Sequence, residues 1–279
     1  MKHSDASRSL GHRIRNAARE RCVDPARLRR QIAVQRLLAR LALDEAWVLK
    51  GGFLLEARFE AQARTTKDLD LVHAETGLTA LDVQDLLDEA LDRDLGDSFS
   101  FRVGLPRRLR DADDEGAWRV GVEASVGGTS FEHLTLDVVT QAAETAGAVE
   151  TVEIPSPLIP SAAPAVRIRA VDLAQHAAEK VHAYSRIYAH DRPSSRVKDL
   201  VDLVLIIESG ALDAARFAER VDVVFRVRDG AAAPADLPAP PASWPTPYAA
   251  MVADLDVTSR TSDTAYAFVR TFYQKSRNR

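Results

Sequence analysis

The sequence predicts an α+β protein: a helical N-terminal arm, a mixed sheet, and a helical C-terminal half. Three observations carry this reading. Amphipathic, arginine-studded runs fill the first 43 residues. Segments between Trp47 and Val139 alternate apolar and polar positions as strands do. Prolines at 155, 157, 160 and 164 then mark a change, after which the pattern is helical. The expected divisions are a basic helical region at 1–45, a central core at 46–160 and a helical domain at 165–279.

In order, Ile14, Ala17, Ala18 and Cys22 form one helical stripe, and Asp24-Pro25 starts a second helix through Leu28, Ile32, Leu37, Leu38 and Leu41. Trp47-Val48-Leu49 is a short strand running into Lys50-Gly51-Gly52, and Phe53 to Phe59 supply helical turns. Asp68-Leu69-Asp70-Leu71-Val72 alternates as a strand. Thr79 to Leu91 reads as a helix with Leu81, Leu86, Leu87 and Leu91 on its apolar face. A strand at Phe99–Val103 precedes a charged loop from Arg107 to Gly116. Trp118–Ser125 and Ser130–Val139 form a hairpin around Gly127-Gly128. Helices are expected from Val171 to Ala189, opened by Asp172, from Ser195 to Glu208, closed at Gly210, and from Ser262 to Lys275. The Pro- and Ala-rich stretch 229–247 reads as a loop or linker.

Composition narrows the class. The 279 residues are 46% hydrophobic and 28% charged, and no apolar run reaches the roughly 20 residues of a membrane span. Met1-Lys2-His3-Ser4-Asp5 lacks the apolar stretch of a secretory signal, so a cytoplasmic location is expected. A single cysteine, Cys22, excludes an intramolecular disulfide and a cysteine-based zinc site. The net charge of −4 is unevenly spread. Residues 1–50 hold 12 Lys and Arg against 5 Asp and Glu, and the remainder 25 against 36. A basic arm on an acidic body suits a polyanion, or is simply a solvated helix face. Only six lysines occur among 37 cations: Lys2, Lys50, Lys67, Lys180, Lys198 and Lys275. In a chain that writes its cations as arginine, an internal lysine marks a place where a compact point charge is useful.

Asp68-Leu69-Asp70 is the most informative motif. On a strand, i and i+2 share a face, so both carboxylates can meet the same divalent cations. Asp137 adds a carboxylate inside the apolar run Leu134 to Val139, where ionisation needs a compensating cation or hydrogen bonds, unless the strand is a wet edge. Gly51-Gly52 between strand and helix offers unhindered N–H groups to phosphates, or makes a tight turn. Lys180 and Tyr184 share a helix face, as do Asp199 and Asp202, with Lys198 four residues from Asp202. These are a phosphate-binding cation with acidic partners, or a surface ion-pair network. His176 and His182, six apart, do not share a helix face and read as surface or packing residues.

Leu49-Lys50-Gly51-Gly52-Phe53-Leu54-Leu55, Arg64-Thr65-Thr66-Lys67-Asp68-Leu69-Asp70-Leu71, Glu179-Lys180 and Arg196-Val197-Lys198-Asp199-Leu200-Val201-Asp202-Leu203 together resemble the four motifs of the AbiEii/MenT nucleotidyltransferase toxins. The resemblance implies a DNA polymerase β-like nucleotidyltransferase core and membership of a toxin–antitoxin pair. It also implies transfer of a nucleoside monophosphate from an NTP, with Mg²⁺ or Mn²⁺, to an RNA acceptor. The 3′ end of tRNA is the expected acceptor, and the consequence a block of translation. On these positions it implies metal binding by Asp68 and Asp70, with Asp137 as third carboxylate. Lys50, Gly51, Gly52, Lys180, Lys198 and Asp199 fall to the nucleotide, and Asp202 joins Asp68, Asp70 and Lys180 as catalytic. Gly-Gly stands where the wider superfamily has Gly-Ser. If the antitoxin modifies the chain, Thr65 and Thr66 are the candidates, because a phosphate there would add about −1.5 to −2 charge beside the carboxylates. A same-fold enzyme acting on a protein or small molecule, and a non-catalytic NTP- or nucleic-acid-binding module, are the alternatives.

Overall fold

The computed structural model describes residues 2–59, 66–109, 116–140, 143–158, 164–186 and 196–278. The chain folds as two units. The first comprises Met1–Ala57, Thr65–Ala142 and Glu150–Ala170; the second comprises Arg58–Arg64, Ala143–Val149 and Val171–Arg279.

Two helices open the first unit, α1 (Lys2–Arg21) and α2 (Pro25–Leu41). The break between them lies at Cys22, whose φ of 54° leaves the helical region. Asp24 caps α2 by accepting from the Ala26 N–H at 2.9 Å, and Pro25 occupies the first turn, where its missing N–H costs nothing. Ile14, Ala17 and Ala18 of α1 pack on Leu28 and Ile32 of α2. Then follow β1 (Trp47–Lys50), α3 (Gly51–Phe59), β2 (Asp68–His73), α4 (Ala80–Leu91), β3 (Phe99–Val103), β4 (Arg107–Arg108), β5 (Ala117–Val126), β6 (Thr129–Val139), β7 (Val149–Ile154) and β8 (Val166–Val171).

Among the described residues these eight strands form one mixed sheet in the order β3-β5-β6-β2-β1-β8-β7, with β4 on β5. β2 runs parallel to β6 and antiparallel to β1; β5 is antiparallel to β6, and β1 parallel to β8. Gly127 and Gly128 turn the β5–β6 hairpin with φ of 53° and 74°, the left-handed pair that matches strand twist. Leu49, Leu69, Leu71, Val120, Val122, Leu134, Leu136 and Val138 are all buried. Their alternates Lys50, Asp68, Asp70, Arg119, Gly121, Thr135 and Asp137 form the polar side of the same strands.

Arg40 of α2 is fully buried and ties the helix to β3. Its guanidinium grips Asp97 at 2.8 and 3.1 Å and the Phe99 carbonyl at 3.0 Å, and lies over the Phe101 ring at 5.0 Å. Burial opposes ionisation of Asp97. Hydrogen bonds from Arg40 and the Phe99 N–H, with the charges of Arg40 and Arg36, outweigh it and hold the carboxyl below its usual range. Arg40→Ala is therefore expected to cost about 3–5 kcal/mol in urea unfolding, since it strands a partly buried carboxylate. Asp97 has a lower pKa folded than unfolded, so its contribution is complete above the unfolded value of about 3.9 and fades as pH falls through the native one. The stability gap between wild type and Asp97→Asn should shrink below about pH 4. A gap constant from neutral to acid would refute this coupling.

The second unit is helical. Its α5 (Leu173–Ser185), α6 (Val197–Glu208), α7 (Ala214–Asp229), α8 (Pro245–Val252) and α9 (Ser262–Arg277) pack on one another, with a 3-10 turn at Ala143–Thr145 against α7. Asp172, Asp213 and Thr261 cap α5, α7 and α9 through their side chains. Among the described residues no helix is long and apolar enough to cross a membrane.

The structure corrects several sequence-based expectations. Leu81 is 62% exposed, and the buried face of α4 is Val83, Leu87, Ala90 and Leu91. The supposed loop after Arg107 begins as β4, while 110–115 lie outside the described residues. β7 and β8 flank the proline cluster where no strand was expected, and α7 was not anticipated. The Pro- and Ala-rich stretch is no linker: α8 starts within it, and tyrosine hydroxyls strap the rest down. Tyr184 donates to the Pro238 carbonyl at 2.6 Å, Tyr266 to Leu237 at 2.9 Å, and Tyr273 to Pro234.

Candidate active site

The polar side of the sheet gathers the carboxylates. Parallel pairing of β2 with β6 sets Asp70 beside Asp137 and Asp68 beside Thr135, and antiparallel pairing of β1 with β2 sets Lys50 beside Asp70. Lys50, Asp70 and Asp137 thus form one row across three strands, with Asp68 two residues away on the same side. The row continues onto β5, where Arg119 is the register partner of Asp137.

Gly51 closes the row from above. Its φ is +69°, and a Cβ built there would lie 1.8 Å from Asp70 Oδ2 and 2.4 Å from its Cγ. Only glycine lets the β1–α3 backbone settle onto the Asp70 carboxylate. Gly52, half-buried, follows it in the first turn of α3.

Arg119 meets Asp137 with its planar fork, Nε to Oδ1 at 2.8 Å and Nη2 to Oδ2 at 2.7 Å, and its Nη2 is 3.9 Å from Asp68 Oδ2. The hydrogen bonds from Arg119 to Asp137, then the charges of Asp137, Asp68 and Asp70, raise the guanidinium above its usual value. Because Asp137 turns to Arg119, the carboxylates do not form a ready-made cage. Among the described residues no three His, Cys, Asp or Glu side chains converge closely enough to hold a metal ion.

Glu56 fixes the chain entering β2. Only 5% exposed, it accepts from Gln31 Nε2 at 2.8 Å, from Arg27 Nη2 at 2.9 Å and from the Thr66 N–H at 3.3 Å. The Thr66 hydroxyl donates to the Asp68 carbonyl at 3.3 Å. Thr65 lies outside the described residues.

In the second unit, Lys180 of α5 is 7% exposed, and its ammonium sits 2.6 Å from Asp202 Oδ2 and 3.4 Å from Asp199 Oδ1. Both carboxylates are 1% exposed, and Arg196 Nε adds a 2.7 Å contact to Asp199. This is a buried charge cluster, not the solvated network that the spacing also allowed. Lys198 is exposed on the same helix as Asp199 and Asp202. His176, one turn before Lys180, is 2% exposed. Burial and then the charge of Lys180 push its imidazole well below the usual value, so the ring is neutral. His182, also buried, points Nε2 at the Asp229 carboxylate at 3.0 Å. Both histidines are packing residues.

A family model describing the nucleotidyltransferase AbiEii toxin of type IV toxin–antitoxin systems matches residues 32–270. The chain belongs to this family. It is a nucleotidyltransferase, the toxin member of such a system, and the system implies an antitoxin partner. Among solved structures it is similar to MenT4, a nucleotidyltransferase toxin from Mycobacterium tuberculosis H37Rv. Identity is 18% over 88% of this chain and 81% of that one, at a TM-score of 0.49. It is also similar to JHP933 from Helicobacter pylori, at 15% identity over 88% of this chain and 89% of that one, with a TM-score of 0.46. The search of curated proteins gave no match.

In the toxin, two residues that sequence reading missed are Arg119, which meets Asp137, and Glu56, which holds the chain entering β2. Glu56 had a signal, a lone acid among Phe53, Leu54 and Leu55, within helical reach of their buried face. Arg119 had none without the strand register.

Proposed function

We propose that this toxin transfers a nucleoside monophosphate from an NTP to an RNA acceptor, the 3′ end of tRNA, using Mg²⁺. The observation that carries the reading is the cross-strand row Lys50–Asp70–Asp137, with Asp68 on the same side and a glycine backbone seated on Asp70. Hard carboxylate oxygens suit a divalent ion, and the guanidinium on Asp137 marks these carboxylates as a cation-accepting set. Asp68 and Asp70, with Asp137, would hold the metal. Bound there, it supplies positive charge to the phosphoryl oxygens.

The chain's own groups do the rest. Lys50 and the N–H groups after Gly51 and Gly52 receive triphosphate oxygens. Lys180 is the cation assigned to the β- and γ-phosphates, with Asp202 and Asp199 fixing its ammonium, and Lys198 supplies outer charge. The acceptor hydroxyl oxygen bonds to the α-phosphorus and its proton passes to a carboxylate of the Asp68–Asp70 pair. The bond from the α-phosphorus to the bridging oxygen breaks, and pyrophosphate leaves with the electron pair. Exposed arginines at 8, 13, 15 and 19 on α1 offer the RNA backbone a charged face without reading bases.

The test is incubation with total tRNA, Mg²⁺ and each α-labelled NTP in turn, alongside Asp68→Ala. Label on tRNA from the wild type and at least about 100-fold less from the variant is expected. Label on protein or small molecules with none on tRNA would overturn the acceptor. Equal labelling by Asp68→Ala would overturn the role of the carboxylates.

A further inference from the structure

We infer that the cavity enclosed by α1, α2 and the start of β3 is an anion site, built for a phosphomonoester group. It lies at the far end of β5 from Arg119, roughly 20 Å along the strand, and does not rest on the metal reading. The cavity measures about 200 Å³ and belongs wholly to the first unit. Its polar lining comes from four segments: Ser9 and Arg13 of α1, Arg36 of α2, Asp97 and Ser98 before β3, and Ser156 after β7. Arg36 is the group that points to a ligand. Its side chain is only 14% exposed, its ion-pair contact with Asp97 Oδ2 is 4.0 Å long, and its Nη2 donates to a neutral amide, Gln35 Oε1, at 3.0 Å. Asp97 also receives Arg40, at 2.8 and 3.1 Å, so one carboxylate serves two guanidiniums. Burial outweighs the attraction of Asp97 and, with the charge of Arg40 added, lowers the Arg36 pKa from its usual value. A cation drawn out of water in this way calls for more negative charge. Among the described lining residues Asp97 is the only acid, so Arg13, Arg36 and Arg40 against Asp97 leave 3 − 1 = +2 around the cavity. A carboxylate would cancel one charge. A phosphomonoester carries about −1.5 to −2 with three acceptor oxygens, which matches both the charge and hydroxyl and guanidinium donors spread over several segments.

Inorganic phosphate is titrated onto the full-length chain, at an ionic strength held constant with chloride, and amide hydrogen exchange is followed by mass spectrometry. Phosphate should slow exchange saturably in wild-type peptides covering residues 9–13 and 97–99. Arg36→Gln should weaken that response at least about 10-fold. Arg36→Lys, which keeps the charge and loses the fork, and Arg13→Gln, at an exposed position, should each weaken it about threefold. Arg15, exposed on the same helix and outside the cavity lining, controls for bulk charge, and Arg15→Gln should stay within about twofold. The general stabilising effect of phosphate acts on every variant alike and cannot produce these differences. Without phosphate, Arg36→Gln should unfold within about 2 °C of wild type, because the charge it removes is under-compensated. An RNA trinucleotide with a 5′-phosphate, set beside its 5′-hydroxyl twin, identifies the carrier. Protection stronger than that of inorganic phosphate assigns the group to an RNA end, and protection no stronger assigns it to the free ion. Equal protection by the two trinucleotides would overturn the monoester in favour of a backbone diester. An equal response to phosphate in wild type and Arg36→Gln, or none in wild type, would overturn the inference and leave the carboxylate reading standing.

Discussion

Replacing Gly51 with alanine is expected to abolish nucleotide transfer almost as completely as removing Asp70 itself. The added methyl would sit 1.8 Å from Asp70 Oδ2, 2.4 Å from Cγ and 2.6 Å from Cβ, so rotating the carboxylate does not clear it and the backbone of the β1–α3 turn or of β2 must shift. The shift moves a carboxylate that holds the metal in the proposed reaction by about an ångström, and displacements of that size cost on the order of 100-fold in rate. The φ of +69° at Gly51 adds a backbone penalty of about 1 kcal/mol for alanine, which alone would not silence the enzyme. Gly77→Ala separates the two effects. That residue has a φ of +74° in the same unit, with nothing within 4 Å of a built Cβ, so its alanine variant carries the strain without the collision. Gly77→Ala should lose a little stability and keep full transfer; Gly51→Ala should lose more stability, stay folded, and transfer at least about 100-fold more slowly. Normal transfer by Gly51→Ala would mean that Asp70 is not held where the chemistry needs it.

How far the sequence reaches is visible in the hairpin that carries Asp137. Gly127-Gly128 and the flanking alternation were enough to place β5 and β6. Their turn pairs Val126 with Thr129 and Ser125 with Ser130, and an unbroken count outward from there sets Trp118 opposite Asp137. The structure shifts register between Ala124 and Ser125 and skips Phe131, so Asp137 meets Arg119 instead. Phe131 packs on the cluster joining α1 and α2, its ring edge-on to Phe99 at 5.3 Å, and that tertiary contact favours the irregularity. A one-residue slip changes the whole facing set of a strand, so the ion pair on Asp137 depends on packing made by helices more than 100 residues earlier. The carboxylates themselves were legible because i, i+2 spacing on a strand is a local property. β8 was hidden for the opposite reason. Val166-Arg167-Ile168-Arg169 alternates well, but it follows Pro164 and precedes a strongly capped helix, and the local punctuation outweighed the pattern. In α7, Phe217, Val221, Val224 and Phe225 lie at helical spacing, so this helix is physically legible in the sequence.

Lys180 can be separated into what it does for the fold and what it does for the reaction. Its ammonium lies 2.6 Å from Asp202, and both are buried, so Lys180→Met takes the nearest cation from a buried carboxylate inside the helical unit. A loss of about 3–5 kcal/mol is expected, together with loss of transfer. Loss of activity in that variant alone would therefore prove nothing about phosphate. Replacing both partners by apolar groups of similar size is often neutral for stability, because it removes two desolvation costs along with one attraction. The double variant Lys180→Met with Asp202→Leu should recover most of the lost stability in urea unfolding, Asp199 keeping Arg196 at 2.7 Å as its counter-charge. It should not recover transfer. The cation is spent on the triphosphate in the proposed reaction, and removal of one such electrostatic contact costs about 100- to 1000-fold in kcat. Recovery of stability and transfer together would reduce the cluster to a structural ion pair and take Lys180 out of the chemistry. Recovery of stability without transfer assigns the Lys180–Asp202 pair to the reaction, since the helix packing would then be intact and only the two opposed charges missing.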